Sequence, residues 1–433
     1  MSTTNINEDF VRQLDANDPL KSFKSEFVIT DTDLCYLDGN SLGRLPKRTV
    51  EEVNNFLLNE WGPELVDGWS HWIDGAQPAG DLLARAALGA ASGQTLVCDT
   101  TSVNFYQLCV AAIGARPGRK TVIIDSSNFP TDRYIIAGIA KAMGLNLITL
   151  DTDGSGGPGR VDIDSEFEEV KASELAKHLN DDVALVTLQA INYRSGVRQD
   201  IKAITDLVRQ HGGLVVWDCS HAAGSIQLNL DANGVDLAVG CTYKYGNSGP
   251  GSPAWLYVSS RIQTELRVPI QGWFAQEKQF EMGPEFEPAD TIRRFQIASP
   301  SIIGIRGVEV AFEMIERAGI EEIEKKAATG TSLMVDLHKL WLEPLGFSLA
   351  TPTEPGKRGG HIILTHPEAK QIAYAMRKVS KVVPDYREPN AIRLAISPLA
   401  TSYYEVFEGF RRLKELVASG QYLSVAPDGN RVT

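Results

Sequence analysis

No stretch of this sequence stays apolar over the ~20 residues that a helix needs to cross a bilayer. Met1–Thr30 mixes Asn, Asp, Lys and Glu and contains no apolar run of signal-peptide length, so a cytoplasmic protein is expected. Cysteine is scarce. The five thiols, Cys35, Cys98, Cys109, Cys219 and Cys241, are an odd number without a CxxC pair, which argues against a disulfide framework or a zinc knuckle and predicts mostly buried thiols. The seven histidines show neither HExxH nor any other ligand spacing, so no metal is predicted. Positive charge is in deficit: 42 Lys and Arg stand against 55 Asp and Glu, and the net charge of −13 opposes binding to nucleic acid or anionic lipid. GxxxxGK[ST] is missing, as is GxGxxG after a strand, so no motif assigns a nucleotide. Internal repeats and low-complexity tracts are also lacking.

What is present is an ordinary globular composition, 43% apolar and 22% charged, in a 433-residue chain long enough for two or three domains. Between about residues 95 and 260, β-rich apolar runs alternate with helical stretches. The runs are TVIID (121–125), LNLITLD (145–151), VALVTLQ (183–189), GLVVWD (213–218), VDLAVG (235–240) and AWLYV (254–258). This rhythm predicts an α/β fold with a largely parallel sheet, whose ligands collect beyond the carboxyl ends of the strands. Upstream, Pro46 opens a segment in which Val50, Val53, Phe56, Leu57 and Trp61 recur at helical spacing, predicting a helix packed on the main body. Beyond about residue 305 the pattern changes to charged helices over 306–342, with a break near Ala318–Gly319. Strands HIILTH (361–366) and AIRLAIS (391–397) follow, and then a helix over 402–418. The chain therefore divides into an N-terminal segment, 1–45; a large domain, 46–305; and a smaller α+β domain, 306–433.

The residues with chemical potential follow strands. Lys244, in Cys241-Thr242-Tyr243-Lys244-Tyr245, comes just after VDLAVG and before a Gly-rich loop. Partial desolvation there lowers an amine's pKa and makes it available to form an imine with an aldehyde cofactor. An exposed loop lysine is the ordinary alternative. Asp218 ends GLVVWD, and His221 follows at a spacing that lets both face one crevice. A carboxylate there can hold a pyridine nitrogen protonated, although, taken singly, a turn or helix cap for Asp218 and a hydrogen-bonded core position for His221 are the commoner explanations. Thr100-Thr101-Ser102 precede the apolar helix VNFYQLCVAAIGA and can present hydroxyls and N–H groups to a phosphate, or Ser102 can simply cap the helix. Phe129-Pro130-Thr131-Asp132 offer an aromatic face above a polar pair.

Ten ordered segments resemble kynureninase: GNSLG (39–43), DTTSVN (99–104), NFPTDRY (128–134), INYRSG (191–196), WDCSHAAG (217–224), GCTYKY (240–245), GPGSPAWLYV (249–258), GWFAQ (272–276), RGGH (358–361) and DYREPNAIRLAISPL (385–399). The resemblance covers about residues 33–410 and extends in part to other class V aminotransferase relatives. It implies a fold type I enzyme with a mainly parallel sheet of the seven-stranded type, pyridoxal 5'-phosphate as cofactor, and a homodimer with the active site at the interface, in which segment 1–45 contributes to the small domain and the dimer. By the same resemblance Lys244 is the anchoring lysine, Asp218 meets the ring nitrogen with His221 beside it, and Phe129 stacks on the ring above Thr131 and Asp132. Thr101, Ser102, Tyr243 and Trp273 serve the phosphate, and Ser299 reaches the cofactor from the neighbouring subunit. Arg393 binds the substrate α-carboxylate, a task that suits the guanidinium fork. Trp69 and Ser41 line the aryl-ketone end.

The implied catalytic set is Lys244, Tyr243 and Asp218, with Tyr243 handling protons at the carbonyl. The implied reaction cleaves the Cβ–Cγ bond of kynurenine or 3-hydroxykynurenine to an anthranilate and alanine, within tryptophan catabolism by the kynurenine pathway and NAD biosynthesis. Three positions depart from the family pattern, Gln189, Gly246 and Ala400, and none of them is expected to touch the cofactor set. Another class V lyase or aminotransferase remains the enzymatic alternative, and a cofactor-binding regulator or scaffold the non-enzymatic one. A cysteine desulfurase is disfavoured because no cysteine follows Cys241.

Overall fold

The computed structural model describes residues 6–157 and 159–425. Residues 1–5 and 426–433, the outer ends of the two terminal segments inferred above, lie outside the described residues. Eight strands form the central sheet: β1 (Thr95–Val97), β2 (Thr121–Asp125), β3 (Asn146–Asp151), β4 (Arg160–Asp162), β5 (Val183–Gln189), β6 (Leu214–Asp218), β7 (Leu237–Gly240) and β8 (Trp255–Val258). Their order is β1-β8-β7-β6-β5-β2-β3-β4. Only β8 runs against its neighbours, so the sheet is mainly parallel. The eighth strand is the short edge strand β4, which pairs through three residues of β3. Every residue of β2, β5 and β6 is buried. Burial on both faces makes such strands read as unbroken apolar runs rather than alternating ones. Hydrogen bonds tie the layers together where polar groups are enclosed, as where the Trp217 indole N–H of β6 donates to Thr205 Oγ1 of the Ile201–Gln210 helix at 3.0 Å.

A second sheet, β9 (Ser348–Leu349), β10 (His361–Thr365), β11 (Asp385–Arg387) and β12 (Ala391–Ala395), is antiparallel in the order β9-β10-β12-β11. It has its own hydrophobic core, built on Ile362, Leu364, Ile392, Leu394 and Phe410. Val11, Cys35 and Leu37 insert into this second core, and Cys35–Tyr36 pairs in parallel with Val382–Val383. A buried ion pair, Lys326 to Asp18 at 2.7 Å, fastens the N-terminal segment to the Ile320–Leu337 helix. The break between the two long helices falls at Gly319, whose φ of +79° lies in the region that glycine adopts without strain.

The helix after Pro46 differs from expectation in two ways. Pro46 is the N-cap and Lys47–Asn55 is the helix, because the proline keeps an extended ψ of 138°. Its apolar residues are also only partly covered: Phe56 is buried, but Val50, Leu58 and Trp61 are exposed, Leu58 to 73%. Leu45, Leu65, Val66 and Trp69 extend this exposed apolar surface. Among the described residues no helix is long and apolar enough to cross a membrane.

Candidate active site

Five strand ends converge on one cavity of about 270 Å³. β1 leads to Thr100, Thr101 and Ser102; β2 to Phe129, Thr131 and Asp132; β5 ends in Gln189; β6 ends in Asp218 and leads to Ser220; β7 leads to Tyr243 and Lys244. These strands all point the same way, so their carboxyl ends open on one side of the sheet, where ligands of such sheets lie. The cavity thus unites eight residues singled out in the sequence: Thr101, Ser102, Phe129, Thr131, Asp132, Asp218, Tyr243 and Lys244.

Lys244 is half-buried, and its Nζ lies 2.9 Å from His221 Nε2 and 5.9 Å from the centre of the Phe129 ring. Burial pushes the Lys244 amine below its usual pKa, with the Arg393 charge adding to the effect. Burial also holds His221 well below the usual imidazole range, reinforced by the positive charges of Lys244 and Arg393, so His221 is neutral. Asp218 accepts the Ser220 N–H at 2.8 Å. Asp132 beside it is pushed well above the carboxylate range, first by burial and then by the charge of Asp218. Burial and the neighbouring charge thus both favour the protonated form of Asp132. Burial raises the Tyr243 phenol, which keeps its proton.

Thr100, not Ser102, caps the Thr101–Gly114 helix, accepting the Val103 N–H at 3.3 Å. Ser102 is therefore free of the capping role, and among the described residues nothing accepts from the Thr101 and Ser102 N–H groups. A helix N-terminus with two free N–H groups and two hydroxyls fits a phosphate. Asp132 Oδ2, buried and without a partner among the described residues, is a polar atom that a bound ligand can satisfy. The donor set therefore suits an aromatic phosphate-bearing aldehyde with a basic ring nitrogen, as pyridoxal phosphate is.

Arg393, from β12, is 1% exposed and lies outside this cavity's lining. Its Nη1 donates to the Tyr193 carbonyl, and the Tyr193 ring meets Phe129 edge-on at 5.3 Å. Ser41 accepts from Arg393 Nη2 at 2.9 Å, so its hydroxyl is committed to the guanidinium. His221 and Ser41 are also outside the lining, His221 against Lys244 and Ser41 against Arg393, and Trp69, Trp273 and Ser299 are not brought to the cavity by this chain. Trp69 packs on Trp72, Trp273 is 44% exposed against Phe274 and Phe280, and Ser299 is exposed.

Gln189 needs a correction. It lines the cavity, and its Nε2 is 3.5 Å from Asp218 Oδ2, so this departure does touch the cofactor set. Its place as the last residue of a strand that ends at the site was the signal available for finding it. Sequence reasoning also missed Ser220, Gly251, Ser252 and Ala254 in the lining. Ala400 is fully buried in the main core. At Gly246 a Cβ would stand 2.3 Å from the Thr242 carbonyl oxygen and 3.1 Å from the Phe312 ring, so the bend after Lys244 has no room for a side chain. Gly246→Ala is expected to cost about 1–3 kcal/mol through overpacking, read as a lowered denaturation midpoint in urea.

Comparison with known proteins gives two matching family models, Aminotransferase class-V over residues 98–343 and Kynureninase C-terminal domain over residues 323–413. The kynureninase of Pseudomonas fluorescens is 32% identical over 412 residues, covering 93% of this chain and 94% of that protein. That of Deinococcus radiodurans is 33% identical over 399 residues, covering 91% and 92%. Among solved structures, an apo cysteine desulfurase from Thermococcus onnurineus NA1 superposes with a TM-score of 0.73 at 18% identity, covering 97% of this chain and all of that one. The cystine C-S lyase C-DES gives 0.71 at 18%, covering 89% and 98%. These two likenesses are of fold.

Proposed function

The chain belongs to the kynureninase family, within the class V aminotransferase group, and from that premise we propose how its residues carry the reaction. The protein is a pyridoxal-phosphate enzyme that hydrolyses the Cβ–Cγ bond of kynurenine to anthranilate and alanine. The observation that carries the residue assignment is the meeting of Lys244, Asp218, Phe129 and the Thr101–Ser102 helix head in one cavity.

Lys244 would hold the cofactor's aldehyde, Asp218 its ring nitrogen, Phe129 its face, and Thr101 and Ser102 its phosphate, with Thr131 and Asp132 beneath. When bound, pyridoxal phosphate supplies an electron sink conjugated to the substrate's Cα. Lys244, whose pKa burial lowers, takes the Cα proton, and neutral His221, 2.9 Å away, keeps that amine oriented. Tyr243 keeps its proton and can donate it at the substrate carbonyl as water adds there. Arg393 receives the α-carboxylate, with Asn40 and Ser41 steadying the guanidinium.

A homodimer belongs to the same proposal. The exposed apolar surface running from Leu45 to Trp69, together with Trp273, fits burial against a second copy, which would bring Trp273 and Ser299 to the neighbouring site. A cytoplasmic location and a role in tryptophan catabolism are part of this reading too. Persulfide chemistry like that of the desulfurase neighbours is disfavoured, since all five cysteines are buried and none follows Cys241.

The test is product identity. Holoenzyme given L-kynurenine is expected to release anthranilate and alanine in equal amounts over many turnovers, with no net change in the cofactor's absorbance. Conversion of the cofactor to its amine form without anthranilate would establish transamination instead.

A further inference from the structure

The guanidinium of Arg393 already holds a carboxylate that belongs to the protein. Asp385 and Arg393 stand directly opposite each other on the antiparallel strands β11 and β12, so their side chains share a face of the sheet. Arg387, two residues along β11 from Asp385, shares that face. Asp385 Oδ2 lies 2.6 Å from Arg393 Nη2 and accepts from Arg387 Nε at 2.7 Å. Arg393 and Asp385 are 1% and 4% exposed, whereas Arg387 is one-third exposed. Asp38, another carboxyl near Arg393, pairs with Arg377 at 3.6 Å.

Two features separate a competing role for Asp385 from an orienting one. The guanidinium is fixed in direction without it: Nε donates to the Asn40 side-chain oxygen at 2.7 Å, Nη1 to the Tyr193 carbonyl, and Nη2 to Ser41 at 2.9 Å. Asp385 thus adds charge to an arginine whose orientation neutral acceptors already set. Asp385 also has a second cation in Arg387, so releasing Arg393 would not leave it buried and unpaired, which is the costly outcome for such a group.

We propose that Asp385 is a resident carboxylate on the substrate-carboxylate clamp, which yields Arg393 Nη2 and is retained by Arg387 when the α-carboxylate of an amino acid arrives. This rests on the reading of Arg393 as that clamp. An incoming carboxylate then takes the place on Nη2 that Asp385 gives up. Arg387 is then a positioning residue for substrate binding, acting through Asp385, and Asp385 sets how strongly the clamp holds its ligand.

The experiment titrates holoenzyme with L-alanine, the amino-acid product, and reads its dissociation constant from the change in cofactor absorbance. Asp385→Asn keeps the shape and removes the competing charge, so alanine is expected to bind about tenfold more tightly, well below the full effect of two like charges a few ångström apart. Arg387→Gln removes one cation that holds Asp385 and so strengthens its grip on Arg393, and alanine is expected to bind about tenfold more weakly. Opposite signs are the signature, since loosening of the fold would weaken both. Weaker binding in Asp385→Asn would make the carboxylate an anchor and overturn the proposal, as would unchanged binding in either variant. If Asp385→Asn does not fold, Asp385→Ser takes its place, and the same opposition of signs to Arg387→Gln is required. Arg393→Lys is the separate check on the premise: wild-type alanine affinity in that variant would show that the clamp itself was misassigned.

Discussion

Lys244→Ala is expected to lower anthranilate release from L-kynurenine by at least about 10⁴-fold, the upper end of what a positioned general base contributes. On the proposed assignment two functions would end together in this variant, the covalent hold on the cofactor and the base at Cα, and no neighbour is placed to take over either. His221, the group nearest the amine, is held far below its usual pKa by burial and positive charge, which makes it a poor base. Tyr243 holds its proton too firmly, and Asp132 is protonated. The fold should survive, because the substitution removes a half-buried chain that lines a cavity rather than a core contact. The check has three readings: steady-state anthranilate fluorescence, loss of the long-wavelength absorbance of lysine-bound cofactor, and an unchanged thermal midpoint for the apo protein. A Lys244→Ala enzyme within tenfold of wild type would remove the amine from the chemistry altogether.

The parts of the molecule that can be read from the sequence share a physical trait: their pattern is written within one continuous segment. β2, β5 and β6 are buried on both faces, so they stand out as apolar runs, and the side chains just past their ends are the ones that reach the cavity. Gly319 marks a helix boundary because a backbone at positive φ favours glycine. What escaped was set by distant partners. β1 and β4 have three residues each, too few to carry a period, and exist because β8 and β3 offer them free edges. The pairing of Asp385 with Arg393 depends on strand register, and composition gives no hint of it. Helical spacing located the segment after Pro46 and its packing on the body, but not that Val50 and Trp61 of its apolar face stay exposed in this chain. Trp69, Trp273 and Ser299 are in the same position: family resemblance singles them out, while the single chain leaves them at the surface. Gln189 shows the converse. Its unusual identity drew notice, yet its position at the end of β5 was the better guide to its place in the site.

Asp218→Asn is expected to lower kcat on the order of 10³-fold while cofactor binding persists, comparable to losing a preorganised group aimed at charge that develops in a transition state. The amide keeps the shape and can still accept the Ser220 N–H, which Asp218 takes at 2.8 Å, so the loop after β6 should stay in place. What disappears is the negative charge that would hold a proton on the ring nitrogen and so let the ring accept electrons. Asp132 makes the prediction sharper. Its pKa is raised by burial first and by the Asp218 charge second, so neutralising Asp218 lowers the Asp132 pKa without removing the larger cause. Asp132 therefore remains a weaker acid than an ordinary carboxyl, and it can supply the missing charge only as the pH rises. The kcat of Asp218→Asn should accordingly climb with rising pH, against the wild-type profile, and that climb should vanish in the double variant with Asp132→Asn. Asp132→Asn alone leaves the working anion untouched and should cost far less than Asp218→Asn. A larger loss from Asp132→Asn than from Asp218→Asn, both measured at saturating cofactor, would reverse the assignment of the two carboxyls.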